Sequence, residues 1–187
     1  MQQAVFLLLL LVIPAMHAQE RLRHDSIHAN ATRVVRNGEP FFEVKAVGVV
    51  RATPQQAWVV LTDYDRLPEF IPDLLTVKVL SRSGNTVRIE QRSSAGFLFV
   101  WHTIRMELNV EESPSSAIHV TLVDGDMHRY DTHWTMEPLA QGTRITFSGV
   151  MEPRFPVPPL VGAAIVEANL KRTVEAVVAE IERRTAH

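Results

Sequence analysis

Apolar positions recur at every second residue through most of this chain and at every third or fourth residue near its end. That change of period predicts a run of strands followed by one long helix. From Phe41 to Arg51, Phe42, Val44, Ala46, Gly48 and Val50 alternate with Glu43, Lys45 and Arg51, so the even positions should face a core. Leu75, Val77 and Val79 begin a second alternating stretch. Ser83-Gly84-Asn85 turns it back into Val87, Ile89 and Gln91. Gly96 predicts a break, and Leu98 to Val110 then reads as a long strand. Its inner positions are Leu98, Val100, His102, Ile104, Met106, Leu108 and Val110. After the turn Pro114-Ser115-Ser116, Ile118, Val120 and Leu122 form the next inner set. Beyond Asp124-Gly125-Asp126, His128, Tyr130, Thr132, Trp134 and Met136 alternate with Arg129, Asp131 and His133. Thr143, Ile145, Phe147 and Gly149 follow the turn at Gln141-Gly142.

Helical signals interrupt this pattern after the first strand and close the chain. Thr53-Pro54-Gln55-Gln56 is a helix start, with Thr as N-cap, Pro in the first turn and Gln three residues after the cap. Leu67-Pro68-Glu69-Phe70-Ile71-Pro72 predicts a second short helix or turn, stopped at Pro72. From Pro158 to about Thr185, Leu160, Ala163, Val166, Leu170, Val174, Val177, Val178 and Ile181 make one apolar face. Lys171, Arg172, Glu175, Glu180, Glu182 and Arg183 fall mostly on the opposite face. A helix of that length spans roughly 40 Å. Strands with one apolar and one polar face suit an antiparallel sheet, which curls as strands are added. A curled sheet of about seven strands around one long amphipathic helix is an α+β arrangement.

Length and composition narrow the picture. At 187 residues and 46% hydrophobic, the chain has material for one domain with a real core. A formal net charge of −2 gives no basic footprint, so no nucleic-acid partner is expected. Absence of cysteine removes disulfides, thiolate nucleophiles and cysteine metal ligands. Ala4 to Ile13 is an unbroken apolar run, followed by Pro14-Ala15-Met16-His17-Ala18 and the first charges at Glu20 and Arg21. This predicts a signal peptide over residues 1–18, cleaved after Ala18, and a secreted, periplasmic protein. Residues 19–40 read as a polar lead-in with a short strand at Val34-Val35, and residues 41–187 as the ligand-binding domain. The competing reading of the apolar run is an uncleaved anchor.

The order of elements resembles the helix-grip fold of the START-like (SRPBCC) superfamily. Leu61-Thr62-Asp63-Tyr64-Asp65-Arg66-Leu67-Pro68-Glu69-Phe70-Ile71-Pro72-Asp73-Leu74 is similar to the signature of its polyketide cyclase/dehydrase and coenzyme Q-binding branch. Thr53 to Trp58 is similar to that branch's first helix, and Gly125-Asp126, Tyr130 and Trp134 to its late hairpin. The resemblance spans about residues 41–185 and implies an apolar cavity between sheet and long helix, filled by a lipid, a quinone or a polyketide-like molecule. Transient membrane contact fits such a partner, and no cofactor is implied.

On that reading the cavity walls are Val100, His102, Ile104, Met106, Leu122, His128, Tyr130, Trp134 and Phe147 from the sheet. Leu160, Ala163, Val166 and Leu170 close it from the helix, and Phe70 edges the mouth with Ile71. Leu67–Pro72 and Arg154–Pro159 are the candidate lids. His102, His128 and Tyr130 are the polar groups that would orient a ligand. The same side chains would equally fill a core, which gives a non-catalytic partner-binding module. They would also serve acid–base chemistry, which gives a polyketide cyclase or dehydratase. No Ser-His-Asp or Cys-His spacing supports covalent catalysis, so a carrier is favoured over an enzyme. Asp124, Asp126, His128 and His133 offer metal-ligating atoms, but His128 and His133 differ by an odd number and should face opposite sides of a regular strand. No metal site is therefore expected.

Overall fold

A computed structural model describes residues 27–36, 38–97 and 100–186, with backbone alone for 95–97 and 100–102. The predicted signal peptide and the lead-in up to residue 26 lie outside the described residues. The elements run β1 (His28–Arg36), β2 (Glu39–Val50), α1 (Pro54–Leu61), a 3₁₀ turn (Tyr64–Arg66) and α2 (Leu67–Phe70). β3 (Leu74–Ser83), β4 (Thr86–Phe97), β5 (Val100–Ser113), β6 (Ala117–Gly125), β7 (Met127–Leu139), β8 (Gly142–Pro153) and α3 (Gly162–Thr185) follow. The eight strands form one antiparallel sheet in the order β1-β2-β8-β7-β6-β5-β4-β3.

The expected helix-grip architecture is present, with one strand more than the alternation indicated. The extra strand is β1, which pairs along its whole length with β2 from His28↔Val47 to Arg36↔Glu39. The short strand expected at Val34-Val35 is its end, and the polar residues before them hid the rest, because an edge strand needs few apolar residues. Ala31 is its one fully buried side chain, and its backbone N–H donates to Glu167 Oε2 of α3 at 3.3 Å.

α1 begins as its sequence requires. Gln56 N–H donates to Thr53 Oγ1 at 3.2 Å, and Thr53 N–H donates back to Gln56 Oε1 at 2.8 Å. These bonds satisfy donors that the first turn leaves unpaired. α1 buries Ala57, Trp58, Val60 and Leu61 between the sheet and α3.

α3 starts at Gly162, four residues later than the stripe suggested. Pro158 to Val161 form a turn closed by Gly162 N–H to Pro158 O at 2.8 Å. Leu160 therefore lies outside the helix and is 98% exposed. From Leu170 onward the predicted face holds, with Leu170, Val174, Val177 and Ile181 buried.

The core has two connected regions. One packs the end of α3 and α1 onto β4 to β8, around Val87, Leu108, Val110, Ile145, Val177 and Ile181. The other packs the first half of α3 onto β1, β2 and β8, around Phe42, Val44, Ala46, Phe147, Leu170 and Val174. Burying each large aliphatic or aromatic side chain here contributes about 1.5–3 kcal/mol. No helix among the described residues is long and apolar enough to cross a membrane.

Candidate functional site

The sheet parts between β6 and β7. These strands pair only from Ala117↔Thr135 to Thr121↔Asp131. Beyond that rung the end of β6 stays on β5, with Leu108↔Leu122 and Met106↔Gly125. The start of β7 stays on β8, with Tyr130↔Met151 and Met127↔Pro153. The gap is a cleft of about 340 Å³ lined by Thr121, Leu122, Val123, Asp124, His128, Arg129, Tyr130, Asp131 and Arg154.

The corner that joins the two strands is fixed by sterics and hydrogen bonds. Gly125 has φ +132°, and a Cβ there would stand 2.2 Å from Arg105 O. Asp126 N–H donates to Arg105 O at 2.9 Å, and Asp126 Oδ2 accepts from Arg105 N–H at 2.8 Å. Arg154 N–H donates to Asp126 O at 3.2 Å. Asp124 pairs with the Arg105 guanidinium at 3.4 Å. Both carboxylates of the Asp-Gly-Asp segment thus hold the corner in place.

Leu122 and Tyr130 belong to the cleft and also pack against the inner core. The cleft, the window between β6 and β7, is thus a mostly polar depression that touches the inner core through Leu122 and Tyr130. Half-buried apolar side chains continue from these two along the inner face: Ile104, Trp134, Met151 and Phe155. Leu67, Phe70 and Ile71 border the same core from the α2 side. Trp134 packs edge-on against Phe147 at 4.8 Å. Desolvation by burial raises the Tyr130 hydroxyl pKa above the ordinary phenol value, so it stays a proton donor at neutral pH. Thr132 is fully buried, and its Oγ1 has no hydrogen-bond partner among the described residues.

The residues expected to line a cavity divide into groups. Ile104, Leu122, Tyr130, Trp134 and Phe70 lie together on the half-buried inner surface. Met106 is buried in the same core. Phe147 and Leu170 are buried in the core under the first half of α3, where Ala163 and Val166 are half-buried partners. Val100 and His102 lie on β5, but their side chains are outside the described residues. His128 and Leu160 stand elsewhere than expected. A register shift between Met127 and Arg129 interrupts the alternation, so Met127 turns inward and His128 is exposed at the cleft rim. Leu160 is exposed in the turn before α3, and no residue of α3 lines the cleft.

The signature segment from Asp63 to Asp73 acts as a clamp. Arg184 Nη1 donates to Asp63 Oδ2 at 2.7 Å, and Arg172 Nη2 donates to Asp73 Oδ2 at 2.6 Å. Tyr64 donates its hydroxyl to Glu112 Oε1 at 2.7 Å, and Arg82 also holds Glu112. Burial, with the Glu112 carboxylate beside it, pushes the Tyr64 pKa up. The motif thus fastens the short helices to α3 and to β5. Among the described residues, His119, Asp131 and His133 also gather on the outer face of the sheet. From sequence alone His133 is weighed with Asp124, Asp126 and His128, and that group is set aside; without the β6–β7 register, His119 and Asp131 cannot be placed beside it.

The fold and the clamp bear directly on kinship. The sequence profile of the polyketide cyclase / dehydrase and lipid transport family matches residues 50–178. The chain belongs to this family. Its fold is shared with the Zhui aromatase/cyclase of a Streptomyces species, at TM-score 0.66 and 16% identity, covering 78% of this chain and 96% of that one. A STAR-related lipid transfer protein from Xanthomonas axonopodis superposes at TM-score 0.65 with 18% identity, covering 84% and 94%. A START superfamily protein from Mycobacterium smegmatis gives TM-score 0.65 and 16% identity, covering 75% and 97%. No curated protein sequence matches this chain. A START-like, polyketide-cyclase-like fold is therefore established for the domain.

Proposed function

We propose that this protein is an exported carrier that holds a lipid or polyprenyl quinone on the inner face of its sheet. The observation that carries the reading is the window between β6 and β7. Leu122 and Tyr130 belong both to its wall and to the half-buried apolar surface behind it. A carrier needs apolar surface that the fold leaves incompletely covered, and a route to it from solvent. The apolar tail of the ligand would lie along Ile104, Leu122, Trp134 and Met151. A polar head would sit among Arg129, Arg154 and His128 at the rim. Hydrocarbon burial would drive binding, at about 25 cal/mol per Å². Export rests on the apolar run Ala4 to Ile13 and the Ala-Met-His-Ala sequence that ends at Ala18.

A fluorescent-lipid displacement titration on the purified protein tests this. Leu122→Trp should fill the window and weaken or slow lipid exchange, while the circular dichroism spectrum is unchanged. Lipid exchange at the wild-type rate in Leu122→Trp would place the ligand elsewhere.

A second reading, a cyclase or dehydratase acting in the same space, draws on the Tyr130 hydroxyl, which burial keeps protonated. Tyr130→Phe separates the two readings. A carrier keeps its lipid affinity, whereas an enzyme that uses this proton donor loses turnover and still holds its substrate.

A further inference from the structure

We propose that the outer face of the sheet carries a divalent transition-metal site built from His119, Asp131 and His133. His119 of β6 and His133 of β7 are cross-strand partners, and Asp131 lies two residues before His133 on the same face. Their ligating atoms all lie within 4.8 Å of one another. The imidazole rings stack with centroids 3.9 Å apart and planes inclined by 9°, so one ring must turn about its side-chain torsions for both to reach a single ion. His119 Nε2 stands 2.9 Å from Asp131 Oδ1, and its Nδ1 lies 3.9 Å from Glu111 Oε2 on β5. In the metal-free protein Nε2–H donates to the Asp131 carboxylate. An ion taking the place of that proton would move it to Nδ1, where Glu111 would face it in the manner of the carboxylate–histidine support common around metal ligands. Arg129 Nη2, 3.4 Å from Asp131 Oδ2, is the cation that an incoming metal displaces.

Two imidazoles and one carboxylate suit Zn²⁺, Cu²⁺ and Ni²⁺ better than Mg²⁺ or Ca²⁺. Three protein ligands leave coordination positions open to water. The site sits on the last β6–β7 rung, since Thr121↔Asp131 is the final pair before the strands part. A bound ion would staple the two strands at the edge of the window.

Calorimetric titration of the full-length protein with ZnCl₂ tests the proposal. One equivalent should bind, and the thermal midpoint should rise with added Zn²⁺ but not with Mg²⁺. The double variant His119→Ala/His133→Ala should lose that step, and Glu111→Gln should weaken it by about 10-fold or more. Nuclear magnetic resonance on the unaltered protein provides a readout independent of any variant's folding. Substoichiometric Cu²⁺ should broaden the His119 and His133 ring signals before those of the chain's other histidines. Equal Zn²⁺ binding by the wild type and a folded double variant would overturn the site. So would Cu²⁺ broadening that starts at other histidines, or no binding of either Zn²⁺ or Cu²⁺.

Discussion

At Gly125 the backbone sits at φ +132° with Arg105 O where a Cβ would be, 2.2 Å away. Gly125→Ala must move the corner that ends the window, and it should destabilise the protein by about 1–3 kcal/mol or more in urea unfolding. An unchanged midpoint would contradict the steric account. The inner face allows a sharper comparison between side chains. Leu108 is 1% exposed and sits deep in the core, so Leu108→Ala should cost about 2–5 kcal/mol. Ile104 is half-buried on the proposed ligand surface. Ile104→Ala should cost clearly less stability in the ligand-free protein and should weaken lipid binding. Equal stability losses with unchanged binding would make Ile104 an ordinary core residue. Regular alternation correctly identified Met106, Leu108, Val110, Ile118, Met136 and Ile145 as buried. It failed at His128, because one register shift reverses every parity beyond it. The same cause exposes Leu75 on β3, where a shift lies at Leu74/Thr76, whereas Val79 keeps register with the buried Val77 and is exposed on the edge strand beyond it.

Among the elements, α3 shows what a hydrophobic stripe does and does not reveal. Its apolar half was legible from Leu170 to Ile181, whereas Glu180, read onto the polar face, is 8% exposed. Arg183 and Arg184 follow it in sequence, and both bond its carboxylate, at 2.6 to 2.7 Å. Arg184 also reaches back to Asp63, so this cluster fastens the signature segment to the end of α3. No periodicity records that link, since it joins residues far apart in sequence. The Arg183 bond, then Arg184, lower the Glu180 pKa from 4.5 to about 2. A carboxyl with a depressed folded-state pKa binds its proton more readily when unfolded. Its stabilisation is thus complete above about pH 4.5 and is lost as pH falls toward about 2. Glu180→Gln should lower the thermal midpoint at neutral pH, and the gap to wild type should narrow through that acidic window. A gap that does not change with pH would show that the carboxylate's charge contributes nothing. Tyr64→Phe probes the other anchor of the clamp. Losing its bond to the Glu112 carboxylate should cost about 1.5–3 kcal/mol, measured by chemical denaturation.

For the whole molecule, the α+β class, the short helices after the first long strand and the closing helix follow from period changes alone. The window does not. It depends on which partner each half of β6 and β7 keeps, and strand register is set by contacts that local alternation does not encode. The His119, Asp131 and His133 cluster is invisible for the same reason until β6 and β7 are aligned. The central claim concerns cargo. A protein with partly buried apolar side chains on its inner face, beside a gap in the β6–β7 ladder, should hold a molecule whose apolar part completes that surface. Mass spectrometry of small molecules extracted from the protein, after expression in its native host and gentle purification, tests this most directly. Carriage predicts a lipid or polyprenyl quinone at near-stoichiometric amount, together with an intact mass showing cleavage after Ala18. An empty protein that also fails to bind a fluorescent lipid would contradict it and leave the inner face as packed core.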